Sequence, residues 1–155
     1  MKKMVAPILI ALAAVVFFHP RPATAHGIGI DLIKLIDENQ DGGMVNVHGQ
    51  VGITDDTALS LGYAKGDDLT IIDAGVKYYF GRYMNSPFMQ LGAARFDNDI
   101  GNDTGFVGAI GLEHMLTRHI GFSSAVKVIA GVDREIVGYP ASPLFQAVFS
   151  LMFAF

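Results

Sequence analysis

Apolar and polar side chains alternate along this chain from about residue 27 to its last residue, Phe155. The alternation is clearest over residues 144–155, where every second position is apolar: Phe145, Ala147, Phe149, Leu151, Phe153 and Phe155. A period of two indicates a β-strand, because successive side chains of a strand point to opposite faces. Seven further segments alternate in the same way, namely residues 27–36, 44–53, 57–64, 69–80, 88–96, 104–116 and 120–132. The pattern predicts eight strands and, between the two ends of the chain, no helix.

The second face of these strands decides between two all-β architectures. A soluble sandwich buries its apolar faces between two sheets and leaves its outward faces strongly polar. Here the second face is largely glycine, alanine and serine around a few ionisable residues: Asp31, His48, Asp73, Lys77, Glu113 and Lys127. Small residues around isolated charges fit the narrow interior of a barrel better. We therefore expect an all-β, eight-stranded antiparallel up-and-down transmembrane barrel, whose lumen is largely filled by side chains and holds these six residues as a charge network.

The first 25 residues have the composition of an export signal. Lys2 and Lys3 give a positive start, residues 4–18 are apolar, and residues 23–25 form a small-residue cleavage pattern. A membrane anchor is the alternative, but about 15 apolar residues are fewer than the roughly 20 that a spanning helix needs. The sequence thus predicts a cleaved secretory signal over residues 1–25 and one barrel domain over residues 26–155.

Acidic residues are concentrated in one set of predicted connectors. If residue 26 begins on the periplasmic side, the outer connectors are residues 37–43, 65–68, 97–103 and 133–142, and the inner ones are residues 54–56, 81–87 and 117–119. Ten of the 15 acidic residues then lie in the outer connectors: Asp37, Glu38, Asp41, Asp67, Asp68, Asp97, Asp99, Asp103, Asp133 and Glu135. This asymmetry is independent of the alternation that defines the strands, so it supports the same topology.

Charge and cysteine content narrow the possible functions. Removal of the signal takes away Lys2, Lys3 and Arg21, so the formal net charge changes from −4 to −7 (−4 − 3). The remaining lysine and arginine residues are not clustered into a surface that could bind phosphates, which argues against a nucleic-acid partner. The chain has no cysteine, so neither a disulfide framework nor thiol chemistry is available.

The sharpest local motif is the acidic turn at residues 37–42, Asp-Glu-Asn-Gln-Asp-Gly. Alternate oxygen-bearing side chains at Asp37, Asn39 and Asp41, followed by glycine, match the opening of an EF-hand calcium loop. His48 stands where that loop has its bidentate glutamate, and a hairpin turn favours the same residue types. We expect a polar turn here and no cofactor, with a weak Ca²⁺ or Mg²⁺ site at these three residues as the alternative.

Histidine and serine are the remaining candidates for catalysis. They are His48, His114, His119, Ser60, Ser123, Ser124 and Ser150. Nucleophilic catalysis needs a base within hydrogen-bond reach of a hydroxyl, and none of these serines lies in a recognisable motif with a histidine. We expect no enzymatic activity and a structural or surface role. The alternatives are a narrow channel for ions or small solutes and an interfacial lipid-modifying enzyme.

The last strand carries a family resemblance. Its alternating Phe149, Leu151, Phe153 and Phe155 resemble the assembly signal of Gram-negative outer-membrane barrels. With the export signal, the strand count and the lumen charges, residues 26–155 resemble the small eight-stranded class that includes the OmpA transmembrane domain and OmpX-like proteins. The resemblance implies export through the periplasm to the outer membrane and insertion by the barrel assembly machinery. It also implies contact with membrane lipid and lipopolysaccharide, and a monomer.

Overall fold

The computed structural model describes residues 26–36, 43–138 and 143–155. They form eight strands: β1 (His26–Asp31), β2 (Val45–Gly52), β3 (Thr57–Lys65), β4 (Leu69–Tyr79), β5 (Pro87–Asn98), β6 (Asn102–Met115), β7 (Ile120–Ala130) and β8 (Leu144–Ala154). Each strand pairs antiparallel with the next, and β1 pairs with β8, so the sheet closes on itself. The predicted eight-stranded antiparallel barrel is confirmed.

Two predicted features lie outside the described residues and stay predictions. They are the signal over residues 1–25 and the acidic turn with Asp37, Asn39 and Asp41. Within the described part of the chain, no helix is both long and apolar enough to cross a membrane.

In all eight strands, the apolar positions of the alternation face the outside of the barrel. Each strand places at least one large apolar side chain on the exposed outside of the barrel: Ile30, Val47, Leu61, Val76, Leu91, Ile110, Val126 and Phe149, in strand order. Because neighbouring positions point the opposite way, the intervening residues face the interior. The outside is therefore an apolar belt, and the six ionisable residues predicted for the lumen lie inside it.

Two strands end at least two residues earlier than the alternation predicts. β1 ends at Asp31 rather than at residue 36, and a 3₁₀ turn over Lys34–Ile36 follows. The Asp31 carboxylate accepts a hydrogen bond from the N–H of Ile33 at 3.0 Å, and this local turn competes with the strand. β7 ends at Ala130 rather than at residue 132, because Gly131 has a positive φ of 80° that redirects the chain.

The connector between β5 and β6 is shorter than predicted. The strands continue to Asn98 and resume at Asn102, so only residues 99–101 remain between them. The Oδ1 atom of Asn98 accepts hydrogen bonds from the N–H groups of Ile100 and Gly101, both at 2.9 Å, which stabilises a tight turn.

The interior is layered along the barrel axis. We call the end with the β1–β2, β3–β4, β5–β6 and β7–β8 connectors the outer end. The outer apolar layer beneath it consists of Met44, Ala64, Leu69, Ile71, Ala94, Phe96, Val107, Ile129, Val132, Val137 and Leu144. The inner apolar layer at the opposite end consists of Ala58, Tyr79, Met84, Phe88, Met152 and Ala154. A polar layer separates the two.

Part of the outer apolar layer comes from a connector rather than from the strands. After β7 the chain forms a short helix, α1 (Arg134–Val137), with Asp133 as its N-cap and Gly138 as its left-handed C-cap. Val137 at the end of α1 is fully buried. The side-chain amide of Asn98 donates to the carbonyl of Ile136 at 2.9 Å, which ties α1 to β5. The connector thereby covers part of the barrel mouth.

Candidate functional site

The polar layer contains a buried ion pair between β4 and β6, which are not neighbours in the sheet. The Nζ atom of Lys77 lies 2.5 Å from Oε1 of Glu113, and these side chains are 8% and 1% exposed. Gln50 bonds to both partners, accepting from Lys77 at 2.8 Å and donating to Glu113 at 3.0 Å. The hydroxyl of Tyr79 donates to Glu113 at 2.7 Å, and Lys77 lies 4.6 Å above the ring of Phe88. Each charge therefore has several partners, as burial requires.

A second ion pair crosses the lumen from β7 to β4. The Nζ atom of Lys127 lies 3.2 Å from Oδ2 of Asp73, and both side chains are mostly buried. Gly62 on β3 provides the space for this carboxylate, since a Cβ atom there would lie 2.8 Å from Asp73 Oδ2. The pair is nearer the outer apolar layer than Lys77–Glu113, because Asp73 precedes Lys77 on a strand that runs inward.

Asp31 and His48 complete the set predicted from the sequence. The carboxylate of Asp31 accepts from the backbone N–H groups of Ile33 at 3.0 Å and Phe149 at 3.3 Å. The imidazole of His48 overlies Gly29, where a Cβ atom would lie 2.8 Å from the ring. It lines the same cavity as Asp73, Lys77 and Lys127.

These side chains surround a cavity of about 60 Å³ to which all eight strands contribute. A polar cavity needs at least roughly 10–15 Å³ of such volume to hold a water molecule, so this one is large enough for water. Five of the six predicted lumen residues line it: Asp31, His48, Asp73, Lys77 and Lys127. Glu113 lies beside it, bonded to Lys77. We call this cavity the polar chamber.

Several residues of this site carry no charge and were not among the predicted site residues. They are Asn46, Gln50, Tyr79 and Gln90. All four occupy inward positions of the same alternation, so the inner face contained the signal. None of the four side chains is charged at neutral pH, so a search for charged residues does not find them.

Two ionisable groups in the inner connectors are perturbed. The hydroxyls of Thr54 and Thr57 donate to the carboxylate of Asp56 at 2.6 and 3.0 Å, and these bonds lower the pKa of Asp56. Burial, together with the negative charge of Glu113, raises the pKa of the Tyr83 phenol.

The candidate catalytic histidines at the inner end have other contacts. His114 faces outward, and its ring meets that of Phe122 edge-on, with centroids 5.8 Å apart. The Nδ1 atom of His119 lies 3.0 Å from the carbonyl oxygen of Ala154, and its ring stacks on Phe153. Neither contact joins a histidine to a serine hydroxyl.

The serine candidates are divided between the two sides of the wall. Ser60, Ser123 and Ser150 line the polar chamber, and the hydroxyl of Ser60 donates to the carbonyl of Gly75 at 3.2 Å. Ser124 is exposed on the outside. Among residues 26–36, 43–138 and 143–155, no three His, Asp or Glu side chains are grouped so as to hold a metal ion.

The last strand closes the barrel. Phe149, Leu151, Phe153 and Phe155 are all exposed on the outside, and the rings of Phe153 and Phe155 stack. Phe155 bonds through its backbone to His26, with its N–H donating to the His26 carbonyl at 2.9 Å. The residues that resemble an assembly signal therefore lie on the outer surface beside the β1–β8 junction.

Comparison with known proteins identifies the fold. No protein-family model and no curated protein matches the chain. Among solved structures, the N-terminal β-barrel domain of Pseudomonas aeruginosa OprF is similar, with a TM-score of 0.58 and 16% identity over 85% of this chain and 94% of that one. At this identity the likeness is one of fold. The chain thus has the same closed eight-stranded barrel fold as that domain, as its alternation and strand count predict.

Proposed function

We propose that this chain is an integral outer-membrane barrel of a Gram-negative bacterium, with a structural or surface role and no catalytic activity. The observation that carries the proposal is the inverted polarity of the barrel. Glu113 is 1% exposed, whereas Leu91 and Ile110 on the outside are 63% and 69% exposed. Burial of charge and exposure of large apolar side chains are favourable together when the surrounding solvent is lipid.

The apolar belt runs around the whole barrel. Every strand contributes to it, so it is not a local patch of the kind that binds one protein partner. The largest apolar patch on a typical soluble monomer covers a few hundred Å². A belt of this extent supports immersion in a bilayer and a monomeric state.

The layered interior supports a closed lumen. An ion moving along the axis would have to pass the outer apolar layer, whose Phe96 and Val137 are fully buried, and then the inner one. Loss of hydration in such a layer is costly unless polar groups replace the water. The polar chamber alone favours the alternative of a narrow ion channel, but it lies between two apolar layers.

The acidic outer connectors and the aromatic residues of β8 support the proposed partners. The described outer connectors include Asp67, Asp68, Asp99, Asp133 and Glu135, and we propose that these acids approach lipopolysaccharide phosphates through shared divalent cations. The exposed aromatic residues of β8 support insertion by the barrel assembly machinery.

The proposal is tested by expressing the chain with its signal and separating the cell membranes. We expect the protein in the outer-membrane fraction, and after purification we expect faster gel migration unboiled than boiled. In planar bilayers we expect no single-channel current. Recovery as a detergent-independent soluble protein would contradict the proposal, and reproducible conductance altered by Lys77→Ala would establish the channel alternative. A change in lipid A mass that depends on one histidine would establish the enzyme alternative.

A further inference from the structure

The wall of the barrel is incomplete between β1 and β2 near the outer end. These strands share only four paired positions, and the last pair is Gly29 with His48. Beyond it, Ile30 and Asp31 remain paired with β8, and Val45, Asn46 and Val47 remain paired with β3. Every other neighbouring pair of strands shares more positions. The two strands therefore separate above His48 while each stays bound to its other neighbour.

The side chain of Asn46 bridges the two strands next to the last backbone pair. The N–H of Asp31 donates to the side-chain oxygen of Asn46 at 2.6 Å, and the side-chain nitrogen of Asn46 donates to the carbonyl of Asp31 at 2.8 Å. This amide occupies the place that a backbone amide occupies in a ladder, with one donor and one acceptor. A third bond, 3.2 Å long, runs from the same nitrogen to the carbonyl of Met44. We call this closure the β1–β2 seam.

The seam borders the polar chamber directly. Asp31, Asn46 and His48 line both the seam and the chamber. Lys34, which is partly exposed in the 3₁₀ turn just beyond β1, also lines the chamber. Among the described residues, the Asn46 side chain separates the chamber from the outside at this level, and beyond it the N–H of Met44 donates to the carbonyl of Lys34 at 2.7 Å. Along the axis, a full apolar layer intervenes at either end.

We propose that the polar chamber is a site for water and small polar solutes, which enter it sideways through the β1–β2 seam when the Asn46 amide swings aside. A side chain can leave its position by rotation about χ angles, whereas a backbone ladder must unpair. The seam therefore opens at lower cost than the rest of the wall. The chamber suits small polar molecules because its lining supplies both acidic and basic partners, Asp73 and Lys127 among them. The placement of the seam toward the outer leaflet rests on the proposed function.

The test uses thiol labelling, for which the absence of cysteine in the chain is an advantage. Ser123→Cys places one thiol in the chamber, at a position that is 3% exposed. The protein is folded in phosphatidylcholine vesicles and treated with 2-aminoethyl methanethiosulfonate, and labelling is followed by mass spectrometry. Asn46→Ala is then added to open the seam. Val137→Ala is the matched truncation in the outer apolar layer, on the axial route.

We expect Asn46→Ala to raise the labelling rate of Ser123→Cys about tenfold, since one net hydrogen bond shifts an opening equilibrium by roughly that factor. Val137→Ala should change the rate by less than about twofold. A second reporter, Ala94→Cys in the outer apolar layer, should stay unlabelled. Faster labelling with Val137→Ala but not with Asn46→Ala would show axial entry and overturn the proposal, as would no labelling in any variant.

Folding is controlled separately. Each variant must show the difference in gel mobility between unboiled and boiled samples before it is labelled. If Asn46→Ala does not fold, Asn46→Asp replaces it, because it keeps the oxygen that accepts from Asp31 but loses the donor. A barrel that folds but lacks the labelling pattern overturns the side entry alone. A chain that never requires detergent or lipid contradicts the proposed function instead.

Discussion

The Lys77–Glu113 pair shows how individual residues of the lumen depend on one another. Glu113 accepts three hydrogen bonds from Lys77, Tyr79 and Gln50 in a position that is almost completely buried. The attraction between two such charges offsets the cost of removing both from water, but a single remaining charge has no such compensation. The intact pair therefore contributes little net stability, whereas the loss of one partner is strongly destabilising.

Removal of one partner tests this dependence. We expect Lys77→Ala to lower the free energy of unfolding by about 3–5 kcal/mol, because it leaves the Glu113 carboxylate buried and uncompensated. The double change Lys77→Met with Glu113→Gln should restore most of that loss. Urea unfolding in detergent, followed by circular dichroism since the chain has no tryptophan, measures the effect.

The exposed pair of Arg95 and Asp97 is the matched control. Their charged groups are 3.5 Å apart, and both side chains are more than half exposed. Asp97→Ala should change the free energy of unfolding by less than about 1 kcal/mol. Equal losses for Lys77→Ala and Asp97→Ala would contradict the role assigned to the buried pair.

Two glycines allow a second test at the residue scale. A Cβ atom on Gly92 would collide with the backbone carbonyl of Ala74, whereas one on Gly108 would have no neighbour within 4 Å. We expect Gly92→Ala to cost about 1–3 kcal/mol of unfolding free energy and Gly108→Ala to change it by less than about 0.5 kcal/mol. Comparable unfolding curves for the two variants would refute the close approach of β4 and β5 at this point.

The sequence predicts on which side of its strand a residue lies, but it does not predict which side chain that residue contacts. A period of two assigns Asp73, Lys77, Glu113 and Lys127 to one side of their strands without any knowledge of the fold. Their partners depend on strand register and on the width of the lumen. Both ion pairs join strands that are not adjacent in the sheet, so no rule for neighbouring strands could have paired them.

At the scale of elements, the alternation predicted the existence of all eight strands but not all of their ends. Ile33, Leu35 and Ile36 continue an apolar pattern beyond β1, yet the Asp31 side chain redirects the backbone there. Val132 continues the pattern of β7, but Gly131 turns it into the outer apolar layer. In both cases a local interaction of one residue overrides a periodic signal.

The β7–β8 connector was the least predictable element. Its sequence indicates an acidic loop, and its contribution to the core depends on the contact between α1 and β5. The apolar residues at inward positions near the strand ends, such as Leu69, Phe96 and Leu144, were a signal for an apolar layer at the outer end. This layer becomes visible in the sequence only when the inward residues that lie at the same height along the barrel axis are compared across strands.

Truncation of α1 tests the contribution of this connector. We expect Val137→Ala to lower the free energy of unfolding by about 2 kcal/mol, because it removes buried methyl groups and leaves a cavity. Ile100→Ala in the β5–β6 connector removes more apolar atoms from a side chain that is 76% exposed, and should cost less than about 0.5 kcal/mol. If chemical denaturation gives both variants the same midpoint, α1 does not contribute to the core.

At the scale of the whole molecule, the depth of an outward residue in the membrane can be tested by the cost of placing a charge there. Phe149 lies at the middle of β8, and Phe153 lies near its inner end. If the belt is immersed in lipid, a charge at Phe149 lies near the bilayer midplane and a charge at Phe153 lies near an interface. The cost of a charge in lipid depends strongly on that depth.

We therefore expect Phe149→Arg to lower the free energy of unfolding in vesicles by about 2–4 kcal/mol, and Phe153→Arg by about 0–1 kcal/mol. Reversible folding from urea into lipid vesicles measures both. The two variants introduce the same side chain on the same strand, so they control for each other. A larger loss for Phe153→Arg would mean that the barrel is immersed at a different depth.

The strands on opposite sides of the barrel differ in length. β1 and β2 have six and eight residues, whereas β5 and β6, which face them across the lumen, have twelve and fourteen. At about 3.3 Å per residue, β1 is about 20 Å long and β6 about 46 Å. A bilayer adapts to such a mismatch by thinning beside the short side or by letting the protein lean. We expect both, and polarised infrared spectra of oriented bilayers should show a barrel axis inclined to the membrane normal, whereas an axis along the normal would contradict this expectation. If the barrel spans a bilayer, as proposed, the lipid beside β1 and β2 differs in thickness from the lipid beside β5 and β6, so the protein has a defined orientation within the plane of the membrane.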